Sequence, residues 1–272
     1  MKHLILSTIL SIIVVTSYSQ EKRKDTVLVI TVDSTQAKKP RKKSISVNFN
    51  FAKKDSAAKA KPQSYPDFSL NLTLSRIDIG FSRYLDNGSL KLSPKNEFLE
   101  YNGGKTSNFG FEFLQMGVRF SNNFKVYLAA GLDWNHVRLD RNITIQKDKP
   151  LDQYLTETYE FKKNRLSSRY LRVPLSFQFR SKENDKGKRI YFVAGPEIGF
   201  LLNGKIKQVS GEKGKVKMKN DYNFEPLRYG AFARFGYNDW GIYTKYYFND
   251  VFVKDFGPSD FKNFSLGLTF GF

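Results

Sequence analysis

The chain has 272 residues, a formal net charge of +19 and no cysteine. The missing thiol excludes disulfides, thiol catalysis and a lipoprotein anchor. The mean hydropathy is negative, which argues against a bundle of membrane-spanning helices but not against strands that expose only alternate residues to lipid.

The N-terminus predicts a secretory signal peptide over residues 1–19. Lys2 gives a basic start, an apolar run extends from Leu4 to Val15, and the small residues Ser17 and Ser19 precede the expected cut. The apolar run is shorter than the roughly 20 residues that a spanning helix needs, so a retained anchor is the weaker interpretation. An exported chain seldom meets nucleic acid, so the positive charge favours lipid headgroups or polysaccharides as partners and argues against nucleic acid.

Residues 20–67 are polar and basic, with the run Lys38-Lys39-Pro40-Arg41-Lys42-Lys43 at their centre. This composition predicts a flexible, partly disordered periplasmic segment that could bind a periplasmic protein. Two apolar islands interrupt it, at 27–32 and 45–51. Both are shorter than the 9–11 residues of a membrane strand, so we expect them outside the barrel, where either could pair with its rim.

Residues 68–272 are predicted to be all-β and to form an eight-stranded antiparallel transmembrane β-barrel. Apolar and polar residues alternate with period two, which indicates strands with one apolar face. A change of parity near Ser75 and Arg76 indicates a bulge or a strand break. The predicted strands are 68–84, 109–120, 124–139, 168–180, 188–203, 226–237, 240–252 and 263–272.

The connections alternate in length, with the first, third and fifth long and the second, fourth and sixth short. Bacterial barrels have long outer loops and short periplasmic turns, so both chain ends should be periplasmic. A soluble barrel or sandwich is the alternative, and the wholly apolar outward faces argue against it. In the last strand the aromatic Phe270 and Phe272 resemble the C-terminal signal that the barrel assembly machinery reads in bacterial outer-membrane proteins.

Two strand motifs resemble the PorT-like outer-membrane β-barrel family of Bacteroidetes. They are Tyr170-Leu171-Arg172-Val173-Pro174-Leu175 and the segment from Tyr191 to Phe200, which contains Ala194-Gly195-Pro196. The segment from Asn108 to Asn142 is similar to the same group. The resemblance covers the chain from about residue 68 and implies the fold and an integral outer-membrane location. It implies no catalytic residue, and a few relatives linked to secretion and gliding suggest partner binding.

Charged residues on the inward faces of the predicted strands would share one lumen. A barrel of eight strands is just wide enough for side chains to fill, so buried charges there must be paired. We therefore expect a salt-bridged plug, with an anion path lined by arginines as the alternative. The predicted lumen charge network consists of Asp78, Arg119, Arg172, Arg180, Glu197, Arg228, Arg234 and Lys245.

The fifth connection carries alternate lysines that could contact lipopolysaccharide phosphates or acidic glycans, although a solvated hairpin explains them as well. These lysines are Lys205, Lys207, Lys213, Lys215, Lys217 and Lys219. His136 lies near Asp133 and Asp140 in sequence, but a hydrolytic triad needs its members to converge in space. We expect no catalytic site, no metal site and no cofactor.

The sequence thus predicts a monomeric outer-membrane barrel with a plugged lumen and a structural or partner-binding role at the cell surface or in the periplasm. Its expected surroundings are outer-membrane lipid and lipopolysaccharide. The alternative is a narrow channel for small ions or solutes. A lipid-directed hydrolase is a third and weaker hypothesis.

Overall fold

The computed structural model describes residues 46–48 and 65–271. The predicted signal peptide, the island at 27–32 and Phe272 lie outside the described residues. Two 3₁₀ turns occur, at Pro94–Leu99 and Gly103–Lys105. The strands are β1 Ser46–Asn48, β2 Asp67–Asp86, β3 Ser107–Arg119, β4 Phe124–Leu139, β5 Ile143–Thr144, β6 Leu155–Thr156, β7 Phe161–Arg180, β8 Ile190–Ser210, β9 Gly214–Asn220, β10 Leu227–Tyr237, β11 Trp240–Tyr247 and β12 Phe261–Gly271.

Eight of these strands form a closed antiparallel ring. Their order is β2, β12, β11, β10, β8, β7, β4 and β3, and β3 pairs with β2 again to close the circle. Closure pairs the backbone groups of every strand with a neighbour, which is what a sheet needs in lipid. The predicted all-β, eight-stranded antiparallel barrel is confirmed.

Register shifts decide which side chains enter the lumen. The shift between Leu72 and Arg76 in the pairing of β2 with β3 confirms the predicted bulge. A second shift, between Glu112 and Leu114 in the pairing of β3 with β4, was not predicted. Unbroken alternation from Leu114 would turn Glu112 outward, and the extra residue turns it inward instead.

The outward face is apolar along the middle of the ring. Phe81, Phe235, Ile242 and Leu266 are each more than half exposed. At one end Phe124, Phe179, Phe192 and Phe235 stand side by side in register across β4, β7, β8 and β10. An exposed apolar band bordered by aromatic rings is the expected lipid-facing surface of such a barrel.

Three sequence predictions about connections need correction. Strand β7 begins at Phe161, and β8 continues to Ser210, where it pairs with β9 to form a hairpin in place of the predicted lysine-rich loop. Polar residues dominate both extensions, so apolar alternation could not reveal them. Strand β11 ends at Tyr247, earlier than predicted. The island at 45–51 needs no such correction. It was expected outside the barrel, and the strand β1 within it lies outside the ring, where it pairs in parallel with Ser69–Asn71 of β2.

Four connections meet at one end of the barrel, called the loop end here: 87–106, 140–160, 211–226 and 248–260. Backbone hydrogen bonds link them, as between Leu151 N and Phe256 O at 2.8 Å. Together with inward residues of five strands they enclose an apolar core, called the loop cap. Its buried members are Tyr84, Leu99, Val137, Leu139, Ile143, Ile145, Leu151, Leu166, Ile206, Tyr222, Phe224, Phe252 and Phe261.

Candidate functional site in the barrel lumen

Eight charged side chains meet in the middle of the lumen, and we call them the lumen ion cluster. Each is at most 5% exposed. The inward position of every member follows from strand parity, because successive residues of a strand point to opposite faces. Four are acidic and four are basic: Asp78, Glu112, Asp133, Glu197, Arg172, Arg228, Arg234 and Lys245.

Arg172 of β7 lies at the centre of this cluster. Its Nη1 lies 2.8 Å from Asp78 Oδ2, and its Nη2 lies 2.8 Å from Glu112 Oε1. The same Nη1 is 3.9 Å from Asp133 Oδ1 and 3.8 Å from Glu197 Oε2. One guanidinium therefore connects carboxylates from β2, β3, β4 and β8 across the width of the barrel. The planar fork of arginine suits this bridging role.

The other three cations complete the pairing. Arg234 Nη2 lies 3.0 Å from Asp78 Oδ2 and 2.8 Å from Glu112 Oε1. Lys245 Nζ lies 2.9 Å from Asp133 Oδ1 and 3.2 Å from Asp78 Oδ2. Arg228 Nη2 lies 2.6 Å from Asp133 Oδ2. Every carboxylate of the cluster thus has at least one cationic partner, as buried charges require.

Neutral side chains donate hydrogen bonds to two of the carboxylates. Thr269 Oγ1 donates to Asp78 Oδ1 at 2.7 Å, and the hydroxyl of Tyr247 donates to Glu197 Oε1. A glycine also leaves room for a large side chain, since a Cβ at Gly199 would lie 2.8 Å from Arg228 Nε. The sequence therefore supplies both the partners and the space for this cluster.

The family of the chain is decided by comparison with known proteins. The family model described as "Outer membrane protein beta-barrel domain" matches residues 75–253, about two thirds of the chain. The chain belongs to this family. It is therefore an outer-membrane β-barrel protein.

Comparison with curated proteins found no match. Among solved structures, this outer-membrane barrel is similar to Ail, the attachment invasion locus protein of Yersinia pestis, solved with the heparin analogue sucrose octasulfate. The two are 18% identical, and the match covers 75% of this chain and 97% of Ail. The TM-score of 0.29 is too low to carry an argument about function.

The structure separates the predicted lumen residues of the barrel into two groups. Asp78, Glu197 and four basic residues join the central cluster, whereas Arg119 and Arg180 do not. These two line a separate cavity of about 430 Å³ at the end opposite the loop cap, called the turn end, where the connections 120–123, 181–189 and 238–239 lie. Arg76 and Arg189 line the same cavity.

Two acidic members of the cluster were absent from the predicted set. Glu112 was missed because the parity of Leu114 and Met116 was extended through the second bulge, although the apolar residues Phe109, Phe111 and Phe113 before it lie on the other parity. Asp133 follows directly from the parity of Leu132 and Trp134, so strand alternation could have placed it in the lumen. Without these two residues the predicted set contained far more cations than acids, and the structure shows four of each in the cluster.

The remaining predicted residues lie on the outer wall. All six lysines of the predicted glycan-binding loop lie on β8, on β9 or in the turn between them. His136 faces outward, and its Nδ1 lies 2.9 Å from Ser167 Oγ. Asp133 is buried and points into the lumen, so it lies on the opposite side of the barrel wall from His136.

Three further observations concern the described residues. In the part of the chain that the structure describes, no three His, Asp or Glu side chains are placed to hold a metal ion. No helix within residues 46–48 and 65–271 is long and apolar enough to cross a membrane. Phe270 packs edge-on against Trp240 with a centroid distance of 4.5 Å, at the turn end.

Proposed function

We propose that this outer-membrane barrel does not conduct and serves as a structural or interaction protein. The observation that carries the proposal is the bridge formed by Arg172, whose guanidinium contacts carboxylates from four strands while remaining fully buried. A plug held by paired charges leaves no continuous aqueous path for ions at the middle of the lumen.

A second barrier supports the same proposal. The loop cap fills the loop end of the lumen with buried apolar side chains, among them Leu151, Phe252 and Phe261. Closely packed apolar side chains leave few voids as large as a water molecule. A solute entering from the loop end would meet the cap first and the lumen ion cluster second.

We further propose that the loop cap lies at the cell surface and that residues 20–67 reach periplasmic partners after export through the signal peptide. The orientation is supported by loop length, since outer loops are longer than periplasmic turns. Because the chain has no cysteine, single cysteine substitutions can test this orientation. Lys147→Cys at the loop end should react with a membrane-impermeant maleimide in intact cells, and Lys186→Cys at the turn end only after permeabilisation. The reverse pattern would contradict the orientation.

Closure can be tested by vesicle swelling. Vesicles containing the refolded protein should not swell in an iso-osmotic sugar or salt that enters through an open porin used as the positive control.

Deleting residues 20–64 should leave swelling and insertion unchanged and abolish recovery of periplasmic partners. Partner recovery that survives this deletion would contradict the role of the basic segment.

A narrow anion channel is the second candidate. The turn-end cavity favours it, because Arg76, Arg119, Arg180 and Arg189 line its wall. For this candidate the lumen ion cluster would have to open, which would separate ion pairs that are 2.6–3.2 Å long. Such a separation is costly in a buried site, so the closed barrel is the better supported function.

A further inference from the structure

Basic side chains cover one sector of the outer wall at the loop end. Arg138, Arg165, Lys207 and Lys217 stand side by side in register on β4, β7, β8 and β9. The neighbouring rows add further cations on the same face. We call this set the basic wall: Arg138, Lys163, Arg165, Arg169, Lys205, Lys207, Lys215, Lys217 and Lys219.

The charge of the basic wall is not compensated within the described residues. None of its nine members forms an ion pair with a carboxylate within 4.0 Å there, whereas the nearby Lys213 does pair with Glu157. Lys205 faces Lys219, and Lys207 faces Lys217, directly across the hairpin. Like charges placed directly opposite in a sheet are destabilising. This arrangement is therefore one that the fold alone does not favour.

Two further observations show the same deficit of partners. The Nε atoms of Arg165 and Arg169 are buried and have no hydrogen-bond partner among the described residues. Lys207 lies beyond the apolar band. The positive charge of the nearby Lys163 lowers the pKa of the Lys207 ammonium. An anion placed against this wall would relieve the repulsion between the ammonium groups.

The position of the basic wall relative to the lipid-facing band indicates the kind of anion. On β4 the outward side chains are apolar or aromatic from Phe124 to Trp134, which matches the length of a membrane strand. Arg169 pairs in register with Trp134, at the point where this band ends. The positive charges thus begin where the headgroup layer of a membrane meets an aromatic girdle.

A cavity of about 440 Å³ joins the two zones. Phe109 and Trp134 line it on the apolar side, and their ring centroids are 5.6 Å apart. Arg165, Lys205 and Lys219 line it on the basic side. One side of this cavity is apolar and the other is cationic. It therefore complements an amphiphile whose acyl chain contacts the apolar side and whose phosphate contacts the cationic side.

We propose that the basic wall binds the phosphate groups of a lipid headgroup in the outer leaflet, with Arg165, Lys205 and Lys219 as the central contacts. A lipid is the occupant because the cavity joins the cations to the apolar band. A soluble anion would contact only the cationic side of the cavity. The bound phosphates neutralise the lysine pairs that otherwise repel each other. The site does not depend on whether the lumen is closed.

Titration of the full-length refolded protein tests this site. In neutral detergent micelles, lipid A carrying its phosphates should bind and raise the midpoint of thermal unfolding, and dephosphorylated lipid A should do so much less. Lys205→Gln combined with Lys219→Gln should weaken binding by roughly fivefold per lysine, about 25-fold for the pair. Without lipid, the same variant should unfold at the same temperature as the parent or higher, because a repulsive pair has been removed.

Lys182→Gln combined with Lys186→Gln is the matched control, since it removes the same charge from an exposed connection at the turn end. Equal weakening in both variants would reduce the effect to general charge attraction and overturn the proposal. Equal binding of dephosphorylated lipid A would also overturn it. Full competition by inorganic phosphate or by a sulfated polysaccharide would assign the wall to a soluble anion instead. If the first variant does not fold, the single change Lys219→Gln on the short strand β9 gives the same readout.

Discussion

Replacing Arg172 by methionine is the sharpest perturbation of the lumen ion cluster. The substitution keeps an unbranched side chain as far as the position of Nε and removes the charged end of the guanidinium. Asp78 and Glu112 each lose one contact of 2.8 Å but keep Arg234, whose Nη2 lies within 3.0 Å of both. Glu197 is affected most, because Arg172 is its one ion-pair partner within 4.0 Å among the described residues.

The expected loss of stability follows from this difference. Removing one partner of a buried ion pair costs about 3–5 kcal/mol, because a charge is left uncompensated. The additional change Glu197→Gln removes that charge and keeps an acceptor for the Tyr247 hydroxyl. We therefore expect the double variant to recover most of the loss and to unfold within about 1–2 kcal/mol of the parent.

Urea unfolding in lipid vesicles provides the assay, with fluorescence of the two tryptophans, Trp134 and Trp240, as the signal. The control is Arg141→Met, which removes an exposed ion pair with Glu100 and should cost less than about 1 kcal/mol. A loss below about 1 kcal/mol for Arg172→Met would show that the cluster is solvated and does not plug the lumen. A double variant as unstable as the single one would refute the assignment of the loss to Glu197.

Three other predictions concern the loops, the packing and the C-terminus. A hydrogen bond from Thr144 Oγ1 lowers the pKa of Glu157, so the support that this carboxylate gives to loop 140–160 is present above its ordinary pKa and is lost as the pH falls through the lowered value. The protection of the loop amides against hydrogen exchange, taken relative to the intrinsic exchange rate at each pH, should therefore fall at acid pH, and Glu157→Gln should remove that dependence. Gly199→Ala should destabilise the barrel by about 1–3 kcal/mol in urea unfolding, because the new Cβ would lie 2.8 Å from Arg228 Nε, whereas Gly211→Ala, with nothing within 4 Å, should cost far less. Phe272→Ser should lower the amount of protein assembled in the outer membrane, measured by the heat-modified mobility of the folded barrel, and unchanged assembly would exclude a terminal signal.

The strand pattern was predictable because lipid selects apolar residues on alternate positions of every strand. The terminal strand shows this, since Leu266 and Leu268 are each about half exposed on the outward face. The bulge at Ser75 and Arg76 was predictable for the same reason, as apolar residues switch parity there. A similar switch, from Phe109, Phe111 and Phe113 to Leu114 and Met116, marks the bulge before Leu114. The prediction missed it because it extended the parity of Leu114 back through the whole strand.

The partners within the lumen could not be predicted from single strands. Asp78 and Arg172 are far apart in the chain, and their contact depends on the closed ring and on two bulges that set the register. The loop cap was hidden for a related reason. Its apolar residues, such as Leu99, Ile143 and Tyr222, are scattered through polar connections and become a core only when the loops fold together.

Single-channel recording of the refolded protein in a planar bilayer tests the closed barrel most directly. The structure predicts silence from a barrel whose insertion is shown by protection from protease, at low and at high salt. Reproducible conductance steps from the parent protein, altered in size or ion selectivity by Arg172→Met or by Arg234→Met, would contradict the plugged lumen and make the protein a channel.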